Sequence, residues 1–170
     1  QVSRPAESTP MRPFFFALFA LSLIGCASAP KEPARSVTIQ EIKPRYMDAQ
    51  QFKRIGEYWS GGEIKGKRLI LRTDSRSRSG FYFVLILDKK VRQLPKGTVI
   101  LGEFYTAASS NAQSHSFTLP NVRPKTREIF VGLTGADWPV RDAMPGAWRF
   151  TIKAPNGDLM GQKQSYLWEL

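Results

Sequence analysis

The stretch Ala147-Trp148-Arg149-Phe150-Thr151-Ile152-Lys153-Ala154-Pro155-Asn156-Gly157-Asp158 decides the fold class. Trp148, Phe150, Ile152 and Ala154 alternate with Arg149, Thr151 and Lys153. In an extended chain that alternation turns one apolar face toward a core and one polar face toward water, whereas a helix would scatter the same residues around its circumference. Asn156-Gly157 predicts a type I′ turn, in which both central residues take positive φ, and therefore a hairpin into a strand over 159–168.

The same reading extends toward the N-terminus. Phe81-Tyr82-Phe83-Val84-Leu85-Ile86-Leu87 is apolar on both faces, which predicts a central strand covered on its outer side as well. Tyr58 and Trp59, or a short helix, would supply that cover. Candidate strands run over 67–73, 81–88, 98–106, 114–119, 128–133, 147–154 and 159–168, separated by turn formers such as Ser79-Gly80, Pro95-Lys96-Gly97, Pro120-Asn121 and Pro145-Gly146. No long amphipathic helix interrupts them, which disfavours a parallel α/β sheet. The pattern resembles immunoglobulin-like and fibronectin-type sandwiches, a resemblance that implies architecture and no function. The expected fold is all-β: an antiparallel immunoglobulin-like β-sandwich of about seven strands over 46–170, with room for one short N-terminal helix. Asp48 followed by Gln51 suits a helix start, with Phe52, Ile55 and Trp59 on one face and Gly56 keeping it short. A strand over 51–59 reads nearly as well, and both stay open.

Ahead of this region lies a different signal. Met11-Arg12-Pro13 leads into an apolar run from Phe14 to Gly25 and then Cys26. As a helix, residues 14–25 would span about 18 Å, short of the roughly 30 Å hydrocarbon core, so a signal peptide over 11–25 is expected rather than a transmembrane anchor. Leu23-Ile24-Gly25-Cys26 resembles the lipobox of bacterial lipoproteins. That resemblance implies lipidation of Cys26, cleavage just before it and, with Ala27 in place of an Asp, sorting to the outer membrane, the domain facing the periplasm or the cell surface. The alternative is cleavage at Ala27-Ser28-Ala29, with Cys26 an incidental hydrophobe. Residues 1–10 lack an initiator Met and read as an upstream extension. Residues 26–45 are small, polar and Pro-interrupted at first, and are expected to form a flexible tether.

Composition narrows the chemistry. The 170 residues include 25 Lys plus Arg against 14 Asp plus Glu, a formal charge of +11, with one Cys and one His. A disulfide needs a pair of cysteines, and zinc or iron–sulfur sites need three or four soft ligands, so no metal or other cofactor is expected. His115 lies between Ser114 and Ser116, but neighbours in a strand point to opposite faces and no Gly-x-Ser-x-Gly elbow exists, so His115 is expected to be a surface side chain. Glu103, Glu128, Asp137, Asp142 and Asp158 share no spacing suited to paired acid–base work, and Arg76 and Arg78 oppose a cation beside Asp74. A non-enzymatic role is expected.

The cations cluster. Arg68, Arg72, Arg76 and Arg78 form a candidate surface for an anionic ligand, against the plainer reading that such charges keep sheet edges soluble. Tyr58, Trp59 and Trp138 are candidate aromatic contacts for a carbohydrate or anionic polymer. Nucleic acid is not expected for an exported chain without a binding signature. The function these features favour is an envelope lipoprotein, held to the membrane through lipid on Cys26, whose sandwich binds another envelope protein. Anionic lipid and glycan remain as further partners.

Overall fold

Strand alternation, read against burial, organises the molecule around residues 80–87. In the computed structural model, the described residues are 33–106, 109–138, 141 and 143–169. The expected leader, Cys26 and the start of the tether lie outside them. In chain order the elements are β1 (Ile39–Met47), α1 (Ala49–Phe52), α2 (Glu57–Ser60), β2 (Leu69–Arg72), β3 (Gly80–Leu87), β4 (Val99–Thr106), β5 (Ser109–Thr118), β6 (Glu128–Thr134), β7 (Ala147–Lys153) and β8 (Leu159–Gln164). All seven expected strands are present, and β1 is an eighth.

Two four-stranded sheets form an all-β sandwich, ordered β1-β3-β6-β2 and β5-β4-β7-β8. On β3, Phe81, Phe83, Leu85 and Leu87 face the other sheet, where Phe83 meets Phe104 and Phe150 with ring centroids 5.0 and 5.1 Å apart. Tyr82 and Val84 point outward into a second cluster with Met47, Phe52, Ile70 and Phe130. The strand is therefore buried on both faces, as its apolar run predicts. Chain crossings β3 to β4, β5 to β6 and β6 to β7 give the Greek-key connectivity of an immunoglobulin-like sandwich.

One pair departs from antiparallel order. β2 runs parallel to β6, Leu69 opposite Ile129 and Arg72 opposite Gly132. β1 and β2 thus run in the same direction on opposite edges of one sheet, and parallel strands need a long crossover rather than a hairpin. Residues 48–68 are that crossover. They lie over the outer face of the sheet, and Phe52 covers Tyr82 at 4.8 Å between rings.

Three expectations are corrected here. β1 takes in residues 39–45, which were expected to be tether; Val37 and Ile39 are already core, and the Val37 amide donates to the Met160 carbonyl at 3.0 Å. The turn after β7 is not type I′. The Gly157 amide donates to the Ala154 carbonyl, which makes Pro155 and Asn156 the central residues, and only Gly157 has positive φ. Proline presets the first central residue of a type I turn, and Gly157 follows as the bulge residue. The helix start at Asp48 and Gln51 forms, the Asp48 amide donating to Gln51 Oε1 at 3.0 Å. The helix ends at Phe52, however, so Phe52 is buried while Ile55 and Trp59, on the next turn, are exposed.

Candidate functional site

The crossover is clamped to its sheet by a set of polar bonds. Arg72 on β2 donates to both oxygens of Glu63, Nη1 to Oε2 at 2.8 Å and Nη2 to Oε1 at 2.7 Å, and its Nε donates to the Tyr82 hydroxyl at 2.8 Å. Its guanidinium lies 5.0 Å above the Phe52 ring. The Tyr82 hydroxyl donates to the Arg78 carbonyl, and the Arg78 side chain pairs with Glu57, which also accepts from the Ile64 amide. Each of the three nitrogens of the Arg72 guanidinium thus donates to a partner, the condition under which a cation is tolerated with its side chain only 3% exposed.

Electrostatics follow the geometry. The hydrogen bond from Arg72, helped by its charge, holds Glu63 below the usual carboxylate range, against the opposing effect of burial. Glu57 is likewise held low, first by the Arg78 bond and then by the Ile64 amide. Burial by itself would lower Arg72, but its bonds to Glu63 and Tyr82 prevail and raise it. Burial pushes the Tyr82 phenol up. The two carboxylates and the guanidinium are thereby favoured in their charged forms and the phenol in its neutral form, as the clamp's bonds require.

The clamp decides what the crossover shows to solvent. Amides of residues 57, 58 and 59 bond to the carbonyls of residues 54, 55 and 56, so Ile55, Tyr58 and Trp59 stand at i, i+3 and i+4 on one face. They are 82%, 73% and 86% exposed. Glu57 points the other way, toward Arg78. A shallow dent of about 310 Å³ lies beside the Tyr58 ring, bounded by Lys53 and Arg78, and Lys53 sits 5.5 Å from the ring centroid.

The expected anionic-ligand cluster is divided by this arrangement. Arg72 belongs to the buried clamp and does not face a ligand; Arg78 is occupied by Glu57; Arg76 is exposed and paired with Asp74; Arg68 is exposed beside the Phe130 ring. In a strand, residues 68 and 72 share a face, but the crossover covers that face at Arg72. Trp138 also leaves the aromatic set: it is 7% exposed and stacks on Phe81 at 4.9 Å, with Tyr58 and Trp59 remaining outside. Trp168 has one ring face taken by the Arg149 guanidinium at 4.6 Å, while Arg149 forms a two-bonded pair with Glu103.

A second surface had no strong signal in the sequence. Among the described residues β5 pairs with no strand but β4, which makes it an edge strand. Residues 109–118, Ser-Ser-Asn-Ala-Gln-Ser-His-Ser-Phe-Thr, contain no Lys, Arg, Asp, Glu or Pro, the residues that usually guard such edges. The other edges are guarded: β1 carries Glu41, Lys43, Pro44 and Arg45, β2 is only four residues long, and β8 is bonded by Val37. His115 is not the plain surface side chain that was expected. It lies opposite Gly102, on the inward face with Gln113 and Phe117, its ring 6.2 Å from that of Phe104. His115 Nε2, Gln113 Oε1 and Thr106 Oγ1 are buried without a hydrogen-bond partner among the described residues. A groove of about 550 Å³ joins the β2 edge to the end of β5 and the loop after it, lined by Lys65, Arg68, Leu71, Thr118, Val122 and Pro124.

Among the described residues no group of three or more His, Cys, Asp or Glu converges as a metal site would require. No protein-family model, curated protein or solved structure matches the chain.

Proposed function

We propose that the protein is a non-enzymatic binding module of the bacterial envelope, tethered through lipid on Cys26, that docks another envelope protein by strand addition at the β5 edge. The observation that carries this reading is the ten-residue edge strand free of charge and proline in a chain of net charge +11. An edge strand turns alternate N–H and C=O groups away from its neighbour, and an incoming extended segment satisfies them at once. Gln113 Oε1 and His115 Nε2, buried without a hydrogen-bond partner among the described residues, lie on the same strand and add to the argument.

Photo-crosslinking amino acids placed at Ser114 and Ser116, in intact bacterial cells, test the docking. The expected products join both positions to alternate residues of one extended segment in a single envelope protein. Scattered products, or equal products from a probe at Lys43 on the β1 edge, would overturn it.

The exposed rings of Tyr58 and Trp59 favour a second reading, a carbohydrate- or anionic-polymer-binding module. It requires a platform on which sugar faces stack, and soluble polysaccharide would then protect both side chains from solvent quenchers of fluorescence.

A further inference from the structure

We propose that the crossover is a membrane-contact surface, seating Ile55, Tyr58 and Trp59 in the headgroup region of an anionic phospholipid bilayer. The proposal stands independently of strand addition at β5.

Charge is the first argument. Between residues 53 and 68 the cations Lys53, Arg54, Lys65, Lys67 and Arg68 are all exposed. The two acids of the same segment, Glu57 and Glu63, are turned inward, their side chains 7% and 17% exposed, and are neutralised by Arg78 and Arg72. Folding has therefore separated the charges of a segment whose sequence mixes them. Its outward face carries positive charge without an opposing carboxylate, the complement of an anionic lipid surface.

Shape and side-chain type are the second. Ile55, Tyr58 and Trp59 form a contiguous apolar face on a projecting turn, and the space around Gly61 and Gly62 is empty. A protruding knob suits a partner that deforms around it. A glycan needs a platform or groove, and a stable protein partner commonly buries about 800 Å² on each side, more than these three side chains supply. Trp and Tyr, apolar in body with one polar atom, are the side chains that settle at the membrane–water boundary, and flanking Lys and Arg reach phosphates from there.

Rigidity is the third. The turn is anchored underneath by buried Phe52 and by the Arg72–Glu63 and Arg78–Glu57 pairs, so its rings are presented in advance rather than ordered on contact.

The full chain, reconstituted with vesicles of phosphatidylcholine and phosphatidylglycerol bearing brominated acyl chains, provides the test through quenching of tryptophan emission. Trp138 is buried and Trp148 and Trp168 are half-buried, so Trp59 is the tryptophan placed to meet the bromine. The expected result is quenching that is lost for the most part in Trp59→Phe. It also weakens when salt rises from about 0.1 M to about 1 M and the screening length falls from ~10 Å to ~3 Å. The combined Lys53→Gln, Arg54→Gln, Lys65→Gln and Lys67→Gln variant alters none of the clamp's bonds and should show the same loss at low salt. Quenching equal in wild type and Trp59→Phe, or equal in anionic and pure phosphatidylcholine vesicles, or unchanged in the four-site variant, would overturn the proposal. So would an unquenched wild type, the result expected if the knob serves a protein or a glycan.

Discussion

Arg72 and Tyr82 meet across a strand that lies between them. Arg72 is on β2 and Tyr82 on β3, both in register with Gly132 of the intervening β6, and the Arg72 Nε to Tyr82 Oη distance is 2.8 Å. The bond exists because Gly132 has no side chain: a Cβ there would lie 2.4 Å from Tyr82 Cε1.

Gly132→Ala should therefore do more than crowd the sheet. The Tyr82 ring must tilt away, breaking its bond to Arg72 and loosening Phe52 above it, at a cost of about 1–3 kcal/mol. Denaturant unfolding gives the stability change. Amide exchange over residues 48–66, faster in the variant and unaltered in β7, would locate it; a uniform effect on both sheets would refute the link to the crossover.

The Arg72–Glu63 pair should show strong coupling. Arg72→Met leaves Glu63 facing an apolar site and is expected to cost about 3 kcal/mol, whereas Arg72→Met with Glu63→Met should recover much of that loss. Additive losses in the double variant, measured by urea unfolding, would mean that the two side chains do not act as a pair.

Acid should release the crossover before the sandwich. Glu57 and Glu63 are held below their ordinary values by Arg78 and Arg72, so the folded state binds their protons less readily than the unfolded chain. Their contribution to stability is fully present above the unfolded value of about 4.3 and is lost as pH falls through the lower folded values. Amides of residues 53–66 should exchange faster on acidification below about pH 4 than denaturation of the whole domain accounts for. Glu57→Gln with Glu63→Gln should abolish that extra pH dependence, and its persistence would assign it to other groups.

Metabolic labelling with a fatty-acid probe in a bacterial host addresses the anchor. Wild type should incorporate label and Cys26→Ser only background. Equal incorporation, or a mature N-terminus mapped to a residue other than Cys26, would remove the lipoprotein reading while leaving the β5 edge and the crossover to be judged on their own.

Local pattern by itself determined much of this molecule. The alternation of Trp148, Phe150 and Ile152, the doubly apolar run through β3 and the Asp48–Gln51 helix start are short-range signals, because side-chain direction in a strand and the first turn of a helix depend on residues a few positions apart. β1 escaped because it is an edge strand: Glu41, Lys43, Pro44 and Arg45 belong on a solvated edge, and such a strand reads like a linker. Only the tertiary structure decided which strands became neighbours, and with that the fate of each candidate side chain. The placement of β2 beside β6 drew residues 48–68 over the sheet, buried Arg72 against Glu63 and Tyr82, turned Glu57 inward and left Tyr58 and Trp59 outside. The position opposite Gly102 turned His115 toward Phe104, and contact with Phe81 buried Trp138. Those outcomes depend on partners tens of residues away, and no local periodicity encodes whether a charge will meet a counter-charge or a ring will find a cover.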